Sequence, residues 1–139
     1  MSTHAYAFRQ NDDGTLTGIY IHSDGYLDGV GRMLAAHYPK REQVDALIAL
    51  GDLSSLERSL DCPEGHSFNT PADGCSVAYH RDRGEPWKDA EPKPFAGINT
   101  ALAYCSGIDY VYLWTEVPGW QCVGRFGKPY SATPTGGAK

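Results

Sequence analysis

A chain of 139 residues, 41% hydrophobic and 21% charged, has the composition of one ordinary globular domain, long enough to bury a core without disulfide or metal staples. Its formal charge of −5 argues against a sequence-independent grip on a nucleic-acid backbone, which needs a basic face. No apolar run nears the ~20 residues that span a bilayer, and the N-terminal residues lack the basic patch and apolar core of a signal peptide. A cytoplasmic location is therefore expected, with Cys62, Cys75, Cys105 and Cys122 as free thiols.

Residues 3–9 alternate around Tyr6 and Phe8 and read as a first strand. Asn11-Asp12-Asp13-Gly14 is a turn signal, and residues 15–22 return as the second strand of a hairpin. Asp24-Gly25 then breaks the chain. Asp24 or Asp28 is placed to cap a helix over about 28–38, where Val30, Leu34 and Tyr38 recur at helical spacing. Gly25, Gly29 and Gly31 suit a helix start lying close to a sheet; no lysine follows them, so they do not form a phosphate loop. Pro39 ends that helix. A second, over about 40–50, gathers Val44, Leu47 and Ile48 on one face and stops at Gly51.

Asp52 next reads as the cap of a short turn carrying Leu53 and Leu56. Residues 61–74 are loop, and Cys75–Tyr79 is a strand expected to reach Arg81. Pro86, Pro92 and Pro94 mark residues 84–97 as an irregular excursion. Residues 98–106 read as a third helix, and Tyr110–Thr115 and Trp120–Arg125 as a hairpin around Glu116-Val117-Pro118-Gly119. The sum is an α+β fold: an antiparallel sheet of about five strands with two or three helices packed on one face. It forms a single domain over 1–127, followed by a flexible tail over 128–139.

Cys62, His66, Cys75 and His80 are zinc-ligand types, but structural zinc sites pair their cysteines two to four residues apart, and these do not. No metal is assigned. Nor does any cysteine or serine sit in a nucleophile-elbow context, so no catalytic residue is assigned and an enzyme is not favoured. The richest stretch is Ala78–Trp87. As a strand it would set Tyr79, Arg81 and Arg83 on one face and His80 and Asp82 on the other. Two guanidiniums beside an aromatic ring suit a phosphate, a carboxylate or a stacked base. The plainer alternative pairs both arginines with Asp82, Glu85 or Asp24 at the surface, for ~0–1 kcal/mol each.

The run Ile19–Tyr26, with Gly29-Val30-Gly31 and Leu47–Leu56 after it, forms one block, and His66-Ser67-Phe68 with Ala78–Glu85 a second. Linked over about residues 3–115, they resemble a widespread group of small phage and prophage proteins. None of the cysteines belongs to the pattern, and Leu27 stands where proline is common. The resemblance implies a phage-borne accessory protein, of a size that counters bacterial defence by binding a defence protein or sequestering a nucleotide signal.

The leading expectation is a non-enzymatic protein that sequesters a small phosphorylated, nucleotide-type ligand without a cofactor. Its candidate ligand set is His22, Asp24, Tyr26, Tyr79, His80, Arg81, Arg83 and Trp87. Arg81 and Arg83 would hold phosphate, Tyr26, Tyr79 or Trp87 would stack a base, and His22 and Asp24 would bond sugar or base edges. One alternative is a surface inhibitor of a host defence protein working through Pro86–Pro94. Another is a metal-dependent nucleotide phosphoesterase using His22, Asp24 and His80. A homodimer would suit a site shared between subunits, though no stretch demands one.

Overall fold

A computed structural model describes residues 3–135. The chain is α+β, built on one mixed sheet of eight strands. The hairpin β1 (Ala5–Gln10) and β2 (Leu16–Ile21) leads into a π-helical turn (Leu27–Gly31), α1 (Arg32–His37) and α2 (Arg41–Ala49). There follow β3 (Leu53–Ser55), β4 (Val77–Ala78), α3 (Tyr79–Arg83), α4 (Trp87–Ala90), β5 (Lys93–Phe95) and α5 (Ile98–Tyr104). The strands β6 (Tyr110–Thr115), β7 (Gly119–Arg125) and β8 (Lys128–Ala132) close the fold. The order across the sheet is β4-β3-β2-β1-β6-β7-β8, with β5 also on β2.

Two pairings are parallel, Ala5 with Tyr110 and Ile21 with Leu53, so the sheet is not the all-antiparallel one expected. A parallel neighbour needs a crossover, and α1 and α2 supply it between β2 and β3. Nor do the helices share one face. Strand β1 is buried on both sides. Ala5 and Ala7 face α1 and α2 together with Ile19, Ile21, Leu34, Val44 and Leu47, while Tyr6 and Phe8 face α5 with Leu16, Ala101 and Cys105. Small residues on one side and aromatics on the other match a close helix layer and a thinner cover.

The first helix layer is pinned by aromatic polar atoms. Tyr112 donates its hydroxyl to the Gly25 carbonyl at 2.7 Å, Trp120 Nε1 donates to Tyr38 O at 2.8 Å, and Trp114 Nε1 donates to Pro39 O at 3.0 Å. Each indole or phenol thus buries its ring and satisfies a carbonyl near a helix end. Neither Asp24 nor Asp28 caps the first helix through its side chain. Asp24 instead takes a left-handed conformation (φ 57°), and its carbonyl accepts the Val30 N–H at 2.8 Å. A Cβ at Gly29 would overlap that carbonyl, which explains a glycine there.

Four further expectations are corrected. Asp52 caps no turn, since Leu53–Ser55 is a strand. The strand expected over Cys75–Tyr79 is only Val77–Ala78, and Tyr79–Arg83 is helical, because Asp82 Oδ2 reaches back to accept the Ala78 N–H at 2.7 Å. The excursion over 84–97 contains α4 and β5, the latter antiparallel to Leu16–Gly18. Finally, Lys128–Ala132 pairs with β7 through a turn in which Phe126 (φ 52°) and Gly127 (φ 79°) are both left-handed, as a two-residue hairpin loop requires. Residues 136–139 of the expected tail lie outside the described residues. Among the described residues no helix is long and apolar enough to cross a membrane.

Candidate functional site

The candidate site grows from Asp52, at the junction of four elements. Its N–H donates to Ala90 O at 2.8 Å, its carbonyl accepts the Tyr79 N–H at 3.2 Å, and its Oδ1 accepts the Tyr20 N–H at 2.9 Å. Gly51, left-handed at φ 80°, brings the chain so close to α4 that a Cβ would overlap the Ala90 carbonyl. Asp52 is thereby fixed in a half-buried position. Burial raises its carboxyl above the usual range, against the opposing pull of the Tyr20 N–H and the Lys93 charge.

Two cavities meet at this residue. One, of about 290 Å³, is lined by Asp52, Tyr79, Arg83, Glu85, Asp89 and Ala90. The other, of about 330 Å³, is lined by Asp52, Tyr6, Tyr20, Lys93, Tyr104, Gly107 and Ile108. A third, of about 290 Å³, shares Arg83 with the first and adds Ser67, Phe68, Asn69 and Asp82. Asp52 and Arg83 therefore mark the joints of a polar and aromatic groove. Volumes of this size suit small ligands.

The helical state of Tyr79–Arg83 splits the arginines. Residues four apart share a helix face, so Tyr79 and Arg83 go together and Arg81 lies opposite. Arg81 is spent on its own chain: Nε donates to Asp82 Oδ1 at 2.9 Å, Nη1 to Leu60 O at 2.6 Å, and Nη2 to Asp82 Oδ2 at 2.9 Å and Ser76 O at 3.0 Å. Burial would raise the Asp82 carboxyl, but Arg81, the Ala78 N–H and His66 together hold it below the usual carboxylate range. This is a structural clamp.

Arg83 is different. Its guanidinium lies 4.7 Å from the Phe68 ring centroid and 6.0 Å from that of Tyr79. Its Nε pairs with Glu85 Oε2 at 3.3 Å, and its Nη atoms make no hydrogen bond among the described residues. A half-exposed guanidinium on two rings, with its outer donors open, can receive an oxyanion.

The remaining sequence candidates divide. His80 donates Nδ1 to Glu85 O at 2.7 Å and meets Trp87 edge-on at 5.1 Å, next to the groove. His22 Nδ1 is bonded to the Tyr20 hydroxyl at 2.9 Å, and its carbonyl accepts His4 Nδ1–H at 2.7 Å, so it orients Tyr20 from behind. Asp24 and Tyr26 are exposed on the loop beyond. No hydrogen bond or ring contact joins His22 or Asp24 to His80 among the described residues. The three groups of the phosphoesterase alternative are not gathered.

Cys62, His66 and Cys75 do gather, with ligand atoms within 4.8 Å of one another, but without His80. His66 has no lone pair to spare: Nδ1 accepts the Ala72 N–H at 2.8 Å and Nε2 donates to Ser76 O at 3.0 Å. Burial, joined by the neighbouring Cys75, pushes the Cys62 thiol up to about 11. The cluster is a half-buried knot that ties the 61–74 loop to α3, where Arg81 also reaches Cys62 and Leu60.

Sequence reasoning missed Asp52, Phe68, Lys93 and Tyr104. Phe68 carried a signal in the His66-Ser67-Phe68 block; Asp52 and Lys93 become neighbours only through the β2–β3 and β2–β5 pairings, and Tyr104 joins them by packing on Tyr6 and Phe95. Compared with known proteins, the chain matches no family model, no curated protein and no solved structure.

Proposed function

We propose that the protein binds and sequesters a small nucleotide-type ligand in the groove joined at Asp52 and Arg83. The observation that carries this reading is Arg83, a cation seated on Phe68 with open outer donors where two cavities meet. A phosphoryl group would accept from its Nη atoms, and the rings of Tyr79 and Phe68 would border the sugar or base. Arg81 takes no part, being committed to Asp82 and two carbonyls. If the chain is a phage accessory protein, as the sequence pattern suggests, such a ligand would be a defence signal.

The test is a thermal-shift screen against nucleoside monophosphates, cyclic nucleotides and ADP-ribose relatives, with mass spectrometry of what is released. A ligand at one hundred times its dissociation constant adds ~2.7 kcal/mol of stability. The expected result is a raised melting temperature, lost in Arg83→Ala, with the ligand recovered intact. Recovery of an altered ligand would make the protein an enzyme; no shift with any compound would hand the reading to a protein partner.

A further inference from the structure

The cavity on the far side of Asp52 from Arg83 has its own chemistry. Its walls are three tyrosines: Tyr6, whose side is buried, Tyr20, and Tyr104, which stands 53% exposed at the rim. Tyr104 meets the Tyr6 ring edge-on at 5.7 Å and Phe95 at 5.0 Å, leaving its outer face open for a planar group. Tyr6 is only 2% exposed and forms the buried back wall of the cavity behind Tyr104.

The polar floor is equally selective. One Asp52 oxygen accepts the Tyr20 N–H, and the other has no hydrogen-bond partner among the described residues, while Lys93 lines the same cavity. A carboxylate beside an ammonium asks for two adjacent donors followed by an acceptor. Among nucleobases only guanine presents that edge, as N2–H2, N1–H and O6. Adenine and cytosine set a ring-nitrogen acceptor next to their amine, and uracil flanks its single N–H with two carbonyls.

We propose that this cleft is a guanine-type ring subsite: a planar heterocycle stacks on Tyr104 and Tyr20, gives its donor edge to Asp52 and receives Lys93 on its carbonyl. The subsite rests on the ligand reading above and places the ring end across Asp52 from the anion end at Arg83. It is nevertheless testable without a phosphate.

The test titrates the whole protein calorimetrically with guanosine, inosine, adenosine, cytidine and uridine, none of which carries an anion for Arg83. Guanosine should bind roughly tenfold or more tightly than adenosine, cytidine or uridine, with inosine, which lacks the N2 amine, between them. Lys93→Ala should weaken guanosine with little change in melting temperature, and Tyr104→Ala should weaken it in a protein that still unfolds cooperatively, its lost contacts with Tyr6 and Phe95 lowering the melting temperature modestly. Asp52→Asn, which keeps an acceptor for Tyr20, should abolish the preference. Arg83→Ala should leave guanosine binding intact and weaken guanosine monophosphate alone; if it fails to do the latter, the anion site falls while the ring subsite stands. Equal affinity for all five nucleosides, no measurable guanosine binding, or guanosine binding indifferent to Tyr104→Ala and Lys93→Ala would overturn the subsite.

Discussion

The Tyr20 N–H donates to Asp52 Oδ1 at 2.9 Å, on the stretch of the β2 edge between the Leu16–Gly18 pairing with β5 and the Ile21 pairing with β3. A side chain here stands in for a missing strand, and the gap it closes is where the groove opens. Asp52→Ala should therefore leave the Tyr20 N–H unpaired and cost about 1–2 kcal/mol in urea unfolding, whereas Asp52→Asn should cost far less. The pH dependence separates the two roles. Burial raises this carboxyl in the folded state, so its contribution to stability falls as pH rises from the unfolded value through the folded one. Asp52→Asn should remove that fall.

Asp82 behaves in the opposite sense. Its side chain is 4% exposed, and its folded pKa is held below the unfolded value by Arg81, the Ala78 N–H and His66, which together outweigh burial. Its contribution is present above the unfolded carboxylate range and lost as pH falls through the folded pKa. Asp82→Asn should flatten the acid limb of a stability profile measured between roughly pH 2 and 6.

The two arginines of α3 should part company. Arg81→Ala strips the clamp from Asp82, Leu60 O and Ser76 O and is expected to cost about 2 kcal/mol, discounted from a fully buried pair because Arg81 is one-third exposed. Arg83→Ala loses an exposed pair and a ring contact, worth about 0–1 kcal/mol. Equal losses in the two variants would contradict the division of labour between them.

Gly51→Ala is expected to destabilise by more than about 1 kcal/mol, since it combines a left-handed residue with an overlap at the Ala90 carbonyl. Because Gly51 sets the position of Asp52, the variant should also weaken any ligand of the groove even at temperatures where it remains folded.

Much of the frame was legible because hairpins and amphipathic helices announce themselves locally. Tyr6/Phe8 alternation, the Asn11–Gly14 turn and the Val44, Leu47, Ile48 stripe all fall where the structure has β1, the first turn and the buried side of α2. What stayed hidden depends on tertiary contacts. Tyr79–Arg83 reads as a strand continuation, yet Asp82 folds back on Ala78 and makes a helix of it, which separates Arg81 from Arg83. Lys93-Pro94-Phe95 looks like a proline-rich excursion, but an edge position tolerates proline and β2 gives it a partner. Phe126-Gly127 lacks the asparagine or aspartate that marks a tight hairpin, so β8 left no trace in the turn signals. The site followed the same rule: Arg83 and Tyr79 were visible as chemistry-bearing residues, while Asp52, Lys93 and Tyr104 acquire meaning only once three separate segments meet.

The most direct measurement is a titration of the 15N-labelled protein with guanosine monophosphate, followed by amide and arginine Nε chemical shifts. Binding in the groove predicts the largest shifts at Asp52, Tyr79 and Tyr104 and at the Arg83 side chain, with Arg81 Nε unmoved. Shifts centred on the exposed His22–Tyr26 loop, or none at millimolar nucleotide, would contradict the assignment of this groove as the ligand site.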